Sequence, residues 1–295
     1  MLKIIALIVA ALLIAPSKGE GAVKIVTSTS DLAYFARVIG ADKVDVTSIA
    51  SPTADLHYVE VRPSYMVKMK DAQLVLKVGL ELDSWIERII DGSRNAKLKK
   101  VDCSKYIAPL EIPAFKADAS YGDLHRYGNP HYWLSPENIE PITRAILEGL
   151  ATVDPANEQL YRDNRDRFLA EIDSELPAMK ALAAPLVGIE MITYHNSWPY
   201  FAHYFGIELP GFVEKYAGVA PSPSHMGEII DLVKKDQIKI IAMEPYFEKR
   251  VPQRIAEATG AKLITLYPSI GGRRADESYL DLLRGNIDAL LEAAR

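Results

Sequence analysis

The chain reads as an α/β protein built from two β/α lobes with parallel sheets, joined by a single long rigid helix. Short β-branched runs alternate with amphipathic segments, and the alternation occurs twice. Between the two series lies one uninterrupted helical pattern with no strand signal.

In the first series the strand candidates are Val23 to Ser28, Val44 to Ala50, Leu74 to Val78 and, more weakly, Leu98 to Asp102. Helical patterns at Asp31 to Ile39, Ser64 to Lys70 and Leu82 to Ile90 separate them. The second series repeats the grammar with strands at Glu190 to Tyr194, Gly211 to Glu214, Ile238 to Met243 and Lys262 to Leu266. Helices near Trp198 to Phe205, Ser224 to Lys235 and Pro252 to Thr259 lie between these.

The connecting segment starts at Asp154-Pro155, with proline at the first helical position, and runs to about Leu182. Leu160, Tyr161, Phe168, Leu169, Ile172, Leu176 and Met179 form one buried stripe. Pro177 is expected to kink the helix near its end. At 1.5 Å per residue the segment is about 40 Å long, a strut that argues against large hinge motion. The expected organisation is residues 1–19 as a signal peptide, 20–154 as the first lobe, 155–185 as the linking helix and 186–295 as the second lobe.

Export is predicted by Lys3, the apolar run Ile4 to Ala15 and the small residues around Ser17-Lys18-Gly19. Twelve apolar residues fall short of the ~20 that span a bilayer. Cys103 is the sole cysteine, which leaves no lipid-attachment cysteine after the run and no internal disulfide. A periplasmic protein that does not span the membrane is therefore expected, as a monomer. Residues 1–19 carry two lysines and no acid, so 32 basic residues face 39 acidic ones in the remainder. Nucleic acid is an unsuitable partner for that balance, because phosphate binding needs a basic face.

His57, His131 and His195 each sit in a loop past a strand-like run or beside a Trp-Pro motif, and all three can occupy carboxyl ends of parallel strands. Neutral imidazole is the commonest protein ligand for zinc, so a metal site assembled from distant segments is indicated. Each histidine alone could equally be a core residue bonded to backbone. No local spacing such as His-x-x-x-His strengthens the case.

Three stretches carry a more specific resemblance: Asp55-Leu56-His57-Tyr58 with Arg62-Pro63-Ser64, Pro130-His131-Tyr132-Trp133-Leu134-Ser135-Pro136, and His195 followed by Tyr200-Phe201 and Phe205-Gly206. With Pro221-Ser222-Pro223, they resemble the cluster A-I metal-binding solute-binding proteins of zinc and manganese ABC transporters. The resemblance covers essentially all of the chain after the signal segment. It implies two lobes joined by one long helix, with His57 and His131 as first-lobe ligands and His195 as the second-lobe ligand. It implies delivery of the ion to an ABC permease. Histidine at the third position resembles the zinc members, manganese members usually carrying glutamate there; imidazole suits Zn²⁺, whereas Mn²⁺ favours oxygen.

The sequence departs from the family at the fourth ligand. The expected aspartate is missing from Leu266-Tyr267-Pro268-Ser269-Ile270-Gly271-Gly272. Glu244, at the end of the strand Ile238 to Met243, is the preferred substitute; its other role would be a helix cap or a pair with Arg250. Asp276, otherwise a cap of the last helix, and a water are the alternatives. Asn129, where relatives more often have aspartate, would remove an acceptor that orients His131. His125 reads as a solvated loop residue in Asp118 to Asn129, His203 as structural, and His225 as helix surface behind a Ser224 cap. Trp133 and Trp198 are expected to wall the site. A zinc hydrolase with an open three-histidine site is the rival reading, but His-Glu-x-x-His and Gly-x-Ser-x-Gly are both absent. A related pair of lobes holding a larger chelate, such as a haem or corrinoid, ranks below both.

Overall fold

A computed structural model describes residues 21–113, 125–214 and 218–295; the signal segment and most of the Asp118 to Asn129 loop, including Asp123, lie outside them. In the first lobe β1 (Val23–Thr27), β2 (Val44–Ser48), β3 (Leu74–Lys77) and β4 (Lys99–Asp102) form a parallel sheet in the order β2-β1-β3-β4. The helices are α1 (Ser30–Gly40), α2 (Pro63–Lys70), α3 (Trp85–Ser93) and α4 (Ile139–Val153). The second lobe repeats the order as β6-β5-β7-β8, with β5 (Glu190–Thr193), β6 (Glu208–Phe212), β7 (Ile240–Met243) and β8 (Lys262–Thr265). Its helices are α6 (Pro199–Phe205), α7 (Pro223–Asp236), α8 (Arg250–Thr259) and α9 (Tyr279–Ala294). In each sheet the order reverses beside the first strand, so loops at the carboxyl ends of β1 and β3, and of β5 and β7, border a crevice suited to a ligand.

Between the lobes runs α5 (Glu158–Ala183), preceded by a 3₁₀ turn at Pro155–Asn157. Its 26 residues span about 39 Å. Pro177 lies inside the helix on its exposed side, where water can satisfy the carbonyl that the ring deprives of a donor. Tyr161, Phe168, Ile172 and Met179 are buried, and Asn164 donates to Ile39 O at 2.9 Å, closing the end of α1.

The strand near residue 211 differs from expectation. The strand expected at Gly211 to Glu214 runs instead as β6 from Glu208 to Phe212, with Pro210 inside it. β6 is an edge strand, where a missing N–H costs no ladder bond. The helix α4 has no counterpart among the segments read from the sequence, although Ile139, Ile142, Ile146, Leu147 and Leu150 follow helical spacing and are all buried.

One apolar core crosses both lobes. Phe35 of α1 is fully buried, with its ring 6.1 Å from Phe168 of α5 and 5.6 Å from Tyr279 of α9. A polar seam runs beside it: Ser30 Oγ donates to Ile270 O at 2.9 Å, Ile270 N donates to Asp31 Oδ1 at 2.8 Å, and Trp133 Nε1 donates to Pro268 O at 2.8 Å. These bonds tie the loop after β8 to the first lobe. Burial pushes the Asp31 carboxyl up to about 7.

Phe35→Ala is expected to destabilise the whole chain by about 3–5 kcal/mol, read from denaturant unfolding. Because the folded-state pKa of Asp31 exceeds the unfolded value, the native protein binds the extra proton and stability falls as pH rises from about 4 to about 7. Asp31→Asn should remove that share of the slope, about 4 kcal/mol at most. Unfolding free energies of both proteins at several pH values check this; parallel curves would refute it.

Candidate metal centre

The three histidines meet at the crevice. One ring nitrogen from each of His57, His131 and His195 lies within 4.8 Å of the other two. His131 is 2% and His195 5% exposed, and the side chain of His57 is 2% exposed. Strand ends alone do not explain the arrangement. His195 follows β5 by two residues, but His57 comes nine residues after β2 and His131 follows no strand directly. His131 immediately precedes a buried 3₁₀ turn, Tyr132–Leu134.

Local turns place the two first-lobe rings. Asp55 Oδ1 accepts from His57 N at 3.0 Å and lies 2.9 Å from His57 Nδ1. Asn129 Oδ1 does the same for His131, at 3.0 Å to N and 3.1 Å to Nδ1. The expectation that Asn129 removes an orienting acceptor is thus corrected: its amide oxygen fills the carboxylate's place. Its Nδ2 is committed to Glu111 Oε2 at 3.0 Å and Asn196 O at 2.8 Å, which fixes the amide's orientation. Both turns are the Asx kind, a side-chain oxygen bonded to the backbone two residues on.

His195 is oriented across β6 instead. Its Nδ1 lies 2.7 Å from Glu214 Oε2, and Glu214 Oε1 accepts from Gly218 N at 2.8 Å. Glu214 is 6% exposed and was not among the residues singled out from the sequence; only its position at the end of an expected strand hinted at it. With the three Nδ1 atoms engaged, the Nε2 atoms are left as donors for an ion, the arrangement that second-layer partners impose on metal-binding imidazoles.

His125 joins this group, contrary to its reading as a solvated loop residue. Its Nε2 lies 3.1 Å from His57 Nε2, and the two ring centroids are 5.2 Å apart. Burial drives its pKa down to about 3, aided by His57 and His195, so the ring is neutral. Burial also holds His131 well below the usual histidine range. For His195 burial acts in the same direction, but the bond to Glu214 and the field of Glu244 outweigh it and raise the pKa.

Glu244 leaves β7 beside His195 and is fully buried. Its Oε1 accepts from Trp198 Nε1 at 3.0 Å. Burial raises its pKa to about 6, against the opposing pull of His195. It lies outside the three-histidine group, and Arg250 pairs with Glu248 at 3.4 Å instead of with it. Asp276 is on the surface, 3.6 Å from Arg274 with its side chain 85% exposed. It does not cap α9; Ser278 and Asp281 form that capping box. The α7 cap is likewise Ser222, accepting from His225 N at 3.2 Å, not Ser224. Trp133 stands 5.5 Å from the His131 ring, and both tryptophans are almost completely buried, walling the site as expected.

Residues 25–293 match the family model described as zinc-uptake complex component A, periplasmic. The chain belongs to this family. Its members are metal-binding substrate-binding components of ABC transporters and not enzymes, which sets aside the hydrolase reading. Among similar proteins, the high-affinity zinc uptake system protein ZnuA of Yersinia pestis is 25% identical over 94% of this chain and 93% of its own length. The manganese-binding lipoprotein MntA of Halalkalibacterium halodurans is 23% identical over 92% of this chain and 88% of its own. A crystal structure of ZnuA superposes with a TM-score of 0.81 at 27% identity, covering 93% of this chain and 100% of that one. Among the described residues no helix is long and apolar enough to cross a membrane.

Glu214→Gln should weaken metal binding by about 10- to 100-fold, because the His195 ring loses its charged anchor. Competition titration against a chromogenic chelator measures it; unchanged affinity would show that Glu214 does not orient a ligand.

Proposed function

We propose that this protein is an exported, monomeric carrier that captures one Zn²⁺ in the crevice between its lobes and delivers it to the membrane permease of an ABC transporter. The observation that carries the reading is the convergence of three imidazoles, each held by its far nitrogen. His57, His131 and His195 are the ligands, and His125 takes the fourth position. In a tetrahedral site with Zn–N bonds of 2.0–2.1 Å, adjacent donors stand about 3.3 Å apart. The His57 and His125 nitrogens already meet that spacing at 3.1 Å. The nitrogens of His57, His131 and His195, up to 4.8 Å apart, need a contraction of roughly 1.5 Å to reach it.

Glu244 is the carboxylate next in line. Its engagement by Trp198 and its complete burial favour a role as fixed negative charge behind His195. The nitrogen-only donor set favours Zn²⁺ over Mn²⁺, since manganese sites are built from oxygen. As cargo, the ion needs no open coordination position, which fits four donors better than three.

Metal analysis of purified protein by mass spectrometry, followed by competition titration, tests the reading. About one Zn²⁺ per chain is expected, bound more tightly than Mn²⁺. His57→Ala and His195→Ala should each abolish tight binding. His125→Ala should weaken Zn²⁺ binding more than Glu244→Gln does; the reverse order would give the fourth position to Glu244. A preference for Mn²⁺ would overturn the choice of metal.

A further inference from the structure

The turn after β3 is built against ordinary backbone preference. Gly79, Leu80 and Glu81 have φ of 83°, 49° and 70°, three consecutive residues in the left-handed region that side chains other than glycine avoid. Glycine is required at position 79 because a Cβ there would stand 2.1 Å from Asp102 Oδ1. Leu80 and Glu81 have no such freedom, and their conformation is imposed from outside. The Asp83 carboxylate, 2% exposed, accepts from Val78 N at 2.6 Å and Gly79 N at 3.0 Å. Tyr132 hydroxyl donates to Val78 O at 2.7 Å, and Ser84 Oγ donates to Glu81 O at 2.9 Å.

Strain held by this many bonds calls for a reason, and the contacts of Glu81 supply one. Its carboxylate accepts from the backbone N of Arg126 at 3.1 Å and from Arg126 Nε at 3.0 Å, and it also pairs with Nη2. Because one of these bonds is to backbone, Glu81 fixes the main chain next to His125 as well as a neighbouring side chain. His125 in turn lies against His57, their Nε2 atoms 3.1 Å apart, and the His57 side chain is only 2% exposed. The guanidinium of Arg126 is 60% exposed, so its charge is screened and the backbone bond contributes most to placement.

We propose that Glu81 is a positioning residue for cargo retention: by anchoring Arg126 it holds His125 over the crevice, so that disengagement of this segment sets the rate at which the ion leaves. This rests on the crevice being the cargo site with His125 as a donor. A loop histidine that had to be ordered anew at each binding event would lose that ordering cost from its affinity, and Glu81 prepays it through a turn rigid before the ion arrives.

Stopped-flow release of Zn²⁺ from the loaded full chain into excess fluorescent chelator tests the proposal. The proteins compared are wild type, Glu81→Ala, Arg126→Ala, His125→Ala and the double variant Glu81→Ala/His125→Ala. Release should be about tenfold faster or more in Glu81→Ala and in His125→Ala, the effect usual for losing a supporting partner. Arg126→Ala, which keeps the backbone N–H, should show a smaller increase. The double variant should release no faster than His125→Ala alone. A merely structural role would instead give effects that add, and additive effects overturn the proposal, as does an unchanged release rate in Glu81→Ala. Should Glu81→Ala fail to fold, Glu81→Gln and Arg126→Ala in the wild-type and His125→Ala backgrounds carry the same comparison. His57→Ala separates the two levels: retention of tight zinc there would sink the cargo site itself, and with it the role of Glu81.

Discussion

Three imidazoles can share one point only if each is held by the nitrogen that faces away from it. The bonds from Asp55, Asn129 and Glu214 to the Nδ1 atoms are the constraint on which the site depends. Two of them are local, made by an Asx side chain to the histidine two residues later, and they fix backbone and ring together. The third reaches from the end of β6 to the end of β5 and therefore depends on correct strand pairing in the second lobe. The first-lobe donors are set by turn chemistry and the second-lobe donor by the sheet.

The loop after β8 illustrates the converse. In relatives it is expected to bring a carboxylate to the ion, but here its backbone is spent on holding the lobes together. Ile270 and Pro268 bond across to Asp31, Ser30 and Trp133. Glu277, almost fully buried, receives Gly271 N at 3.0 Å and Arg273 Nη1 at 3.0 Å. Tyr267, in the same loop, has its backbone N and O bonded to the Asn286 side chain at 2.9 and 2.8 Å. A loop pinned at so many points is a structural joint.

Much of the architecture was legible because the relevant physics is periodic. Alternation of strand and helix patterns gave the two lobes, and the stripe from Tyr161 to Met179 gave the linking helix. The bounds of β6 were less legible, because whether a strand can carry a proline such as Pro210 depends on its lying at the edge of a sheet, which no local pattern reports. The three histidines were legible from motif and setting, while their common anchoring was only half so. The repeated Asx-x-His pattern at Asp55 and Asn129 was present in the sequence, yet its effect on the rings is a matter of turn geometry. Glu214 and His125 reach the site through pairings between segments far apart in the chain, and such contacts leave no mark on residue spacing.

The donors proposed for the ion are unequally divided between the lobes. His57, His131 and His125 project from the first, and His195 alone from the second. If the lobes part by even a small distance, the ion does not lose half of its shell. With the proposed donors it would part from one neighbour and stay seated among three, still carried but no longer enclosed, with one face turned toward whatever has drawn the second lobe away. Unloading can then proceed as a hand-over in which an incoming donor replaces His195 before the rest let go, so that at no stage need a bare ion stand between carrier and recipient.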